Sequence, residues 1–146
     1  MKKSIVMLCL PLMVFQFVGA KDFYTKDLSK LPAAAREFVN KHFAKEQISY
    51  ILIDKENVAV TEYEAVLSGG VEIKFNKKGE WLEIDGNKNK LPDSVVPEEI
   101  LSHVKDFFPD TWIEKIEREY WGYDVELLNG LDLKFSKKGK LIKIDD

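Results

Sequence analysis

YEAVLSGGVEIKFNKKGEWLEID, from Tyr63 to Asp85, returns as YDVELLNGLDLKFSKKGKLIKID, from Tyr123 to Asp145. Val71, Ile73 and Phe75 in the first stretch answer Leu131, Leu133 and Phe135 in the second, while Gly70 and Gly79 answer Gly130 and Gly139. Alternating apolar and polar residues bounded by glycine-bearing turns mark a half-buried β-hairpin. A hairpin module present twice therefore sets the architecture.

Upstream of each hairpin the apolar period lengthens to that of a helix. Leu31-Pro32 opens one predicted helix running to about Phe43, with Ala35, Phe38, Val39 and His42 at helical spacing. Val96-Pro97 opens the other, where Ile100, Leu101, Val104, Phe107 and Phe108 form an apolar stripe stopped by Pro109. Each helix has one face to bury and needs a sheet on which to bury it.

Strands are predicted at Ile48 to Asp54, Thr61 to Leu67, Val71 to Asn76 and Trp81 to Asp85, and again at Ile113 to Tyr120, Tyr123 to Leu128, Leu131 to Ser136 and Leu141 to Ile144. Asp22 to Ser29 reads as a polar lead-in, Lys55 to Ala59 as an extra loop in the first copy, and Gly86 to Asp93 as a short connector. The predicted fold is α+β: two tandem α-β-β-β-β repeats, about 31–86 and 96–146, forming one continuous antiparallel sheet with two helices on one face.

Lys2 and Lys3 ahead of the apolar run Ile5 to Val18, closed by small residues, predict an export signal over 1–20 with cleavage after Ala20. A membrane anchor fits less well, because the run is short and Pro11 interrupts it. The single cysteine, Cys9, lies inside this segment, so the remaining domain, 21–146, relies on an apolar core rather than on disulfides. Removing Lys2 and Lys3 leaves 22 − 2 = 20 bases against 25 acids, a net charge of −5. That balance excludes a nucleic-acid partner, which needs a basic stripe.

Alternation places Tyr63, Ala65, Leu67, Val71, Ile73, Phe75, Leu82 and Ile84 toward the helices. The helix-free face then carries Glu62, Glu64, Glu72, Lys74, Trp81 and Glu83 from the first copy, and Asp124, Glu126, Asp132, Lys134, Leu141 and Lys143 from the second. Trp81 stands out there, since an exposed Trp ringed by charges is a frequent recognition anchor. The plainer reading packs it across strands onto Leu141 or over the stems of neighbouring lysines. Trp112 is expected to seal a helix-to-strand corner and Trp121 to lie in core or edge.

Glu72 and Glu83 fall on adjacent strands, as a carboxylate pair for acid–base chemistry would, but Lys74 and Lys134 nearby make a salt-bridged surface the better reading. His42 and His103 lack partners at metal-ligand spacing. Asp85-Gly86-Asn87-Lys88-Asn89 starts like a calcium loop, yet Val96 stands at the twelfth position, where the bidentate Glu belongs. A polar turn suffices. No catalytic residue, metal or cofactor is expected.

The two hairpin stretches, joined by LPDSVVPEEILSHVKDFFPDTWIEKIE, resemble the PepSY-like family of exported bacterial proteins, also described as β-lactamase-inhibitor-like. The resemblance spans Leu31 to Asp145 and includes Leu31-Pro32, Val96-Pro97 and Asn129-Gly130. It implies tandem helix-plus-hairpin units in the periplasm of Gram-negative bacteria. It also implies an inhibitor-like mode in which the helix-free face grips another protein. The family often has Asp at the turn position held here by Asn76 and Ser136.

The expected function is a non-catalytic periplasmic binding or inhibitor-like module that engages an exported protein or peptide through Trp81, Glu72, Lys74, Glu83 and Lys143. The alternative is a periplasmic carrier of a small ligand or peptide. Exposed sheet edges also allow a homodimer.

Overall fold

The computed structural model describes residues 22–56 and 59–146. The expected export signal over 1–20, with Cys9, lies outside the described residues. In chain order the elements are β1 (Phe23–Thr25), the 3-10 turn η1 (Leu28–Lys30), α1 (Ala33–His42), β2 (Ile48–Glu56), β3 (Ala59–Leu67), β4 (Glu72–Asn76) and β5 (Trp81–Asp85). A second 3-10 turn, η2 (Asp93–Val95), leads to α2 (Glu98–Phe107), β6 (Ile113–Arg118), β7 (Gly122–Leu127), β8 (Asp132–Ser136) and β9 (Leu141–Asp145).

The nine strands form one antiparallel sheet in sequential order, β1 to β9. Such a meander arises when every strand is joined to the next by a connection short enough to keep them neighbours. Helix α1 follows Pro32 with three alanines, strong helix formers, and buries Ala35 and Val39. Helix α2 places Glu98 and Glu99 in its first turn, where the helix dipole favours carboxylates, and buries Ile100 and Val104.

Both helices lie on the same face. Phe38 of α1 meets Phe75 edge-on at 5.9 Å, and His103 of α2 meets Phe135 edge-on at 5.5 Å. Ile51, Ile73, Phe75, Ile84, Ile116, Leu133 and Phe135 are fully buried beneath them in one core.

The β4–β5 turn is tied by Asn76, whose Oδ1 accepts from the N–H of Lys78 and of Glu80. Gly79 takes φ +83°, and a Cβ there would lie 2.8 Å from the backbone nitrogen of Ala35. The turn thus abuts the first turn of α1, and only glycine fits. Ser136 plays the part of Asn76 in the β8–β9 turn, its Oγ accepting from the N–H of Lys140.

Three expectations are corrected. Within the supposed polar lead-in, Phe23–Thr25 is a strand pairing with Ile51 to Ile53. The loop expected at Lys55 to Ala59 is mostly hairpin, since β2 continues to Glu56 and β3 starts at Ala59. Most consequential is a register shift between Lys74 and Phe75, which pairs Phe75 with Trp81 while Lys74 pairs with Glu83. The bulged Leu82 absorbs one residue of alternation, and Trp81 swings to the helix side of the sheet.

Candidate protein-binding face

Trp81 is 6% exposed and belongs to the core. It sits opposite Phe75, its ring tilted against Tyr123 at 6.5 Å and covered by the Arg118 guanidinium at 3.8 Å. The other expected site residues, Glu72, Lys74, Glu83 and Lys143, do lie on the helix-free face.

Cross-strand register organises that face into two lateral rows. One runs Leu52, Glu64, Lys74, Glu83, Glu117, Asp124, Lys134 and Lys143, each directly opposite the next. The other runs Tyr50, Val66, Glu72, Asp85, Lys115, Glu126, Asp132 and Asp145. From Glu64 and Glu72 onward the rows hold nine carboxylates and four lysines. The acidity of the chain is concentrated here.

Glu83 is the hub. Its Oε2 meets Lys74 Nζ at 3.3 Å and its Oε1 meets Lys115 Nζ at 3.2 Å. Partial burial disfavours the charged form of both lysines, but Glu83, with the neighbouring acids, outweighs it and holds both ammonium groups above their ordinary value. The carboxylates beyond the hub are less well served. Burial raises Glu64, Glu117 and Glu126 above the usual carboxylate range, and the like charges of Glu72, Glu83 and Asp132 respectively push the same way. A shallow depression of about 250 Å³ between Lys115, Glu117, Asp124, Glu126, Asp132, Lys134 and Asp145 lies in the second half of this face.

Aromatic groups border the acidic rows at two places the alternation pattern did not flag. Tyr24 and Tyr50 pack edge-on at 5.7 Å beside Leu52, with Tyr24 69% exposed. In the β6–β7 turn, Tyr120 and Trp121 pack edge-on at 5.7 Å, and Lys134 Nζ lies 5.7 Å from the Trp121 ring. Trp121, 39% exposed, is therefore the tryptophan that borders the helix-free face. Trp112 seals the corner after α2, its indole N–H donating to the Lys88 carbonyl at 3.3 Å.

Glu72 stands opposite Asp85 rather than Glu83, and both Glu83 oxygens are held by lysines, so the pair is not arranged for acid–base work. His42 Nδ1 lies 2.8 Å from Ser94 Oγ; burial and then Lys41 lower its pKa. In the Asp85–Asn89 loop, Asp85 Oδ1 accepts from the Asn87 N–H, and the Asn87 amide donates to the Gly70 carbonyl. Among the described residues no three His, Cys, Asp or Glu side chains gather as a metal site, and no helix is long and apolar enough to cross a membrane.

A single antiparallel sheet roofed by two helices on one face, its other face acidic and uncovered among the described residues, defines an α+β domain of the PepSY-like class. The chain belongs to that family: residues 61–143 match the family described as "Putative beta-lactamase-inhibitor-like, PepSY-like". Solved structures share the fold. A Bacteroides vulgatus "putative periplasmic protein of unknown function" is 40% identical, with 86% of this chain and 100% of that one covered at a TM-score of 0.80. A "putative calcium-regulated periplasmic protein" from Bacteroides thetaiotaomicron is 30% identical, covering 86% and 97% at 0.79. A second "putative periplasmic protein" from Bacteroides vulgatus is 29% identical, covering 86% and 98% at 0.77. No curated protein matches the chain.

Proposed function

We propose that the protein is a non-catalytic module of the periplasm whose helix-free face binds another exported protein. The observation that carries this reading is the acidic double row, bordered by the exposed pairs Tyr24–Tyr50 and Tyr120–Trp121. Aromatic side chains give contact area at small entropic cost, while a net negative field selects and steers a partner of opposite charge. The partner surface is accordingly basic. The inhibitor likeness in the family description makes a periplasmic enzyme the first partner to try.

The Bacteroides thetaiotaomicron relative is described as calcium-regulated, and calcium has no part in the binding proposed for this chain. Cross-linked capture from the native periplasm, read by mass spectrometry, tests the proposal. A partner held by wild type should be lost with Trp121→Ala or Asp132→Lys, at unchanged melting temperature and with strong salt dependence. Retention by both variants contradicts the assignment.

A second reading has its own support. Leu91, Val96, Leu101, Val104, Phe108 and Trp112 line a groove of about 190 Å³ beside α2, and the nearby Thr111 Oγ1 is buried with no partner among the described residues. A small amphiphile that satisfies this hydroxyl would raise the melting temperature in a ligand screen, and Leu101→Trp would abolish the shift.

A further inference from the structure

The two ends of the sheet are finished differently. At one edge β1 covers β2, whereas β9 has β8 as its one neighbour among the described residues. The contrast shows in two corresponding residues: Ile84 of β5 is 0% exposed and Ile144 of β9 is 48% exposed. Both face the helix side, opposite Ile73 and Leu133 respectively. Ile84 is covered because β6 pairs alongside it, through Ile84 opposite Ile116 and Asp85 opposite Lys115.

That internal junction shows what the β9 edge can receive. The Gly86 N–H donates to the Glu114 carbonyl across β5–β6, so the backbone of Gly86 and, two residues earlier, of Ile84 faces β6. Ile144 holds the corresponding place on β9, which turns its N–H and C=O toward the free edge. On the outer face, Lys143 and Asp145 flank it and pair with each other at 2.5 Å.

We infer that β9 is a dimerisation strand, pairing antiparallel with β9 of a second copy about a two-fold axis at Ile144. In this register Ile144 meets Ile144 of the second copy, and each Lys143 stands opposite the other chain's Asp145. Four charges then alternate around a square, and the arrangement reproduces the Ile–Ile and Asp–Lys pairs of the β5–β6 junction. Moving the two-fold axis by one residue in either direction sets Lys143 against Lys143 or Asp145 against Asp145. Like charges directly opposite disfavour both, so the edge specifies its own register.

The helix layer is consistent with the same closure. Phe107 on α2 corresponds to His42 on α1: His42 lies tilted against Phe38 at 4.6 Å, and Phe107 stacks on His103 at the same distance. His42 reaches Ser94 in the segment that follows β5, whereas Phe107 is 68% exposed. Two copies of Phe107 would flank the Ile144 seam.

Sedimentation equilibrium on protein purified from cells expressing the full chain tests the inference. The interface is a single short strand, so wild type should be dimeric at about 100 µM and dissociate on dilution in the micromolar range. Lys143→Asp and Asp145→Lys should each be monomeric, with the melting temperature of wild type at dilutions where it too is monomeric. An equimolar mixture of the two variants should restore a dimer, because each charge pair is then made between chains. A wild type that stays monomeric at that concentration overturns the proposal. So does a dimer that survives both single reversals. Neither result bears on binding through the helix-free face, which Asp132→Lys probes separately.

Discussion

Trp81 shows how one bulged residue redirects a side chain. Strict alternation back from Ile84 carries Trp81 to the solvent face, but Leu82 takes up the extra position and the indole enters the core opposite Phe75. Trp81→Glu should therefore destabilise the fold by at least about 3 kcal/mol, lowering Tm by on the order of 10 °C, as calorimetry would show. Ile73 and Phe75, by contrast, were legible as core, because the extra residue lies on β5 and leaves the alternation of β4 intact. Trp121 gave no signal, since a turn aromatic has no period to betray its direction. On the acidic face, Glu117 is raised first by burial and then by Glu83, so its ionised form is disfavoured in the folded state. Stability is lost as pH rises from the ordinary glutamate range through the higher folded value. Glu117→Gln should thus raise Tm at pH 7, and the gain should shrink below about pH 4 and vanish near about pH 3, where wild type is protonated both folded and unfolded.

At the level of elements, both helices and the eight longer strands were readable from the change of apolar period, with ends shifted by a residue or two. Strand β1 was not. Three residues in a polar stretch carry too little pattern, and Phe23–Thr25 becomes a strand only through the β2 edge it covers. The turns were legible as turns, but their contacts with the helices were not. Gly79 and Gly70 separate the two parts of a glycine's role. Both have positive φ, +83° and +92°, but a Cβ at Gly79 would strike Ala35 whereas one at Gly70 meets nothing within 4 Å. Gly70→Ala should cost about 1 kcal/mol of backbone strain, and Gly79→Ala about 1–2 kcal/mol more, measurable by urea denaturation.

For the whole molecule, the division of labour between the two sheet faces follows from the sequence pattern and holds in the structure. One face supplies the core with both helices, and the other gathers the carboxylates that give the chain its negative charge. The continuity of the acidic rows across the β5–β6 junction could not be read from either hairpin stretch, because it depends on Glu83 standing opposite Glu117. The proposed binding face is that continuous surface, with lysines embedded in it that serve as reporters. Lysine acetylation footprinting, with and without a captured partner, tests the assignment most directly. Lys115 and Lys134 on the helix-free face should be protected in the complex, while Lys41 and Lys105 on the helices react as before. Protection of Lys41 and Lys105 with unchanged labelling of Lys115 and Lys134 would place the partner on the helix side and contradict the account.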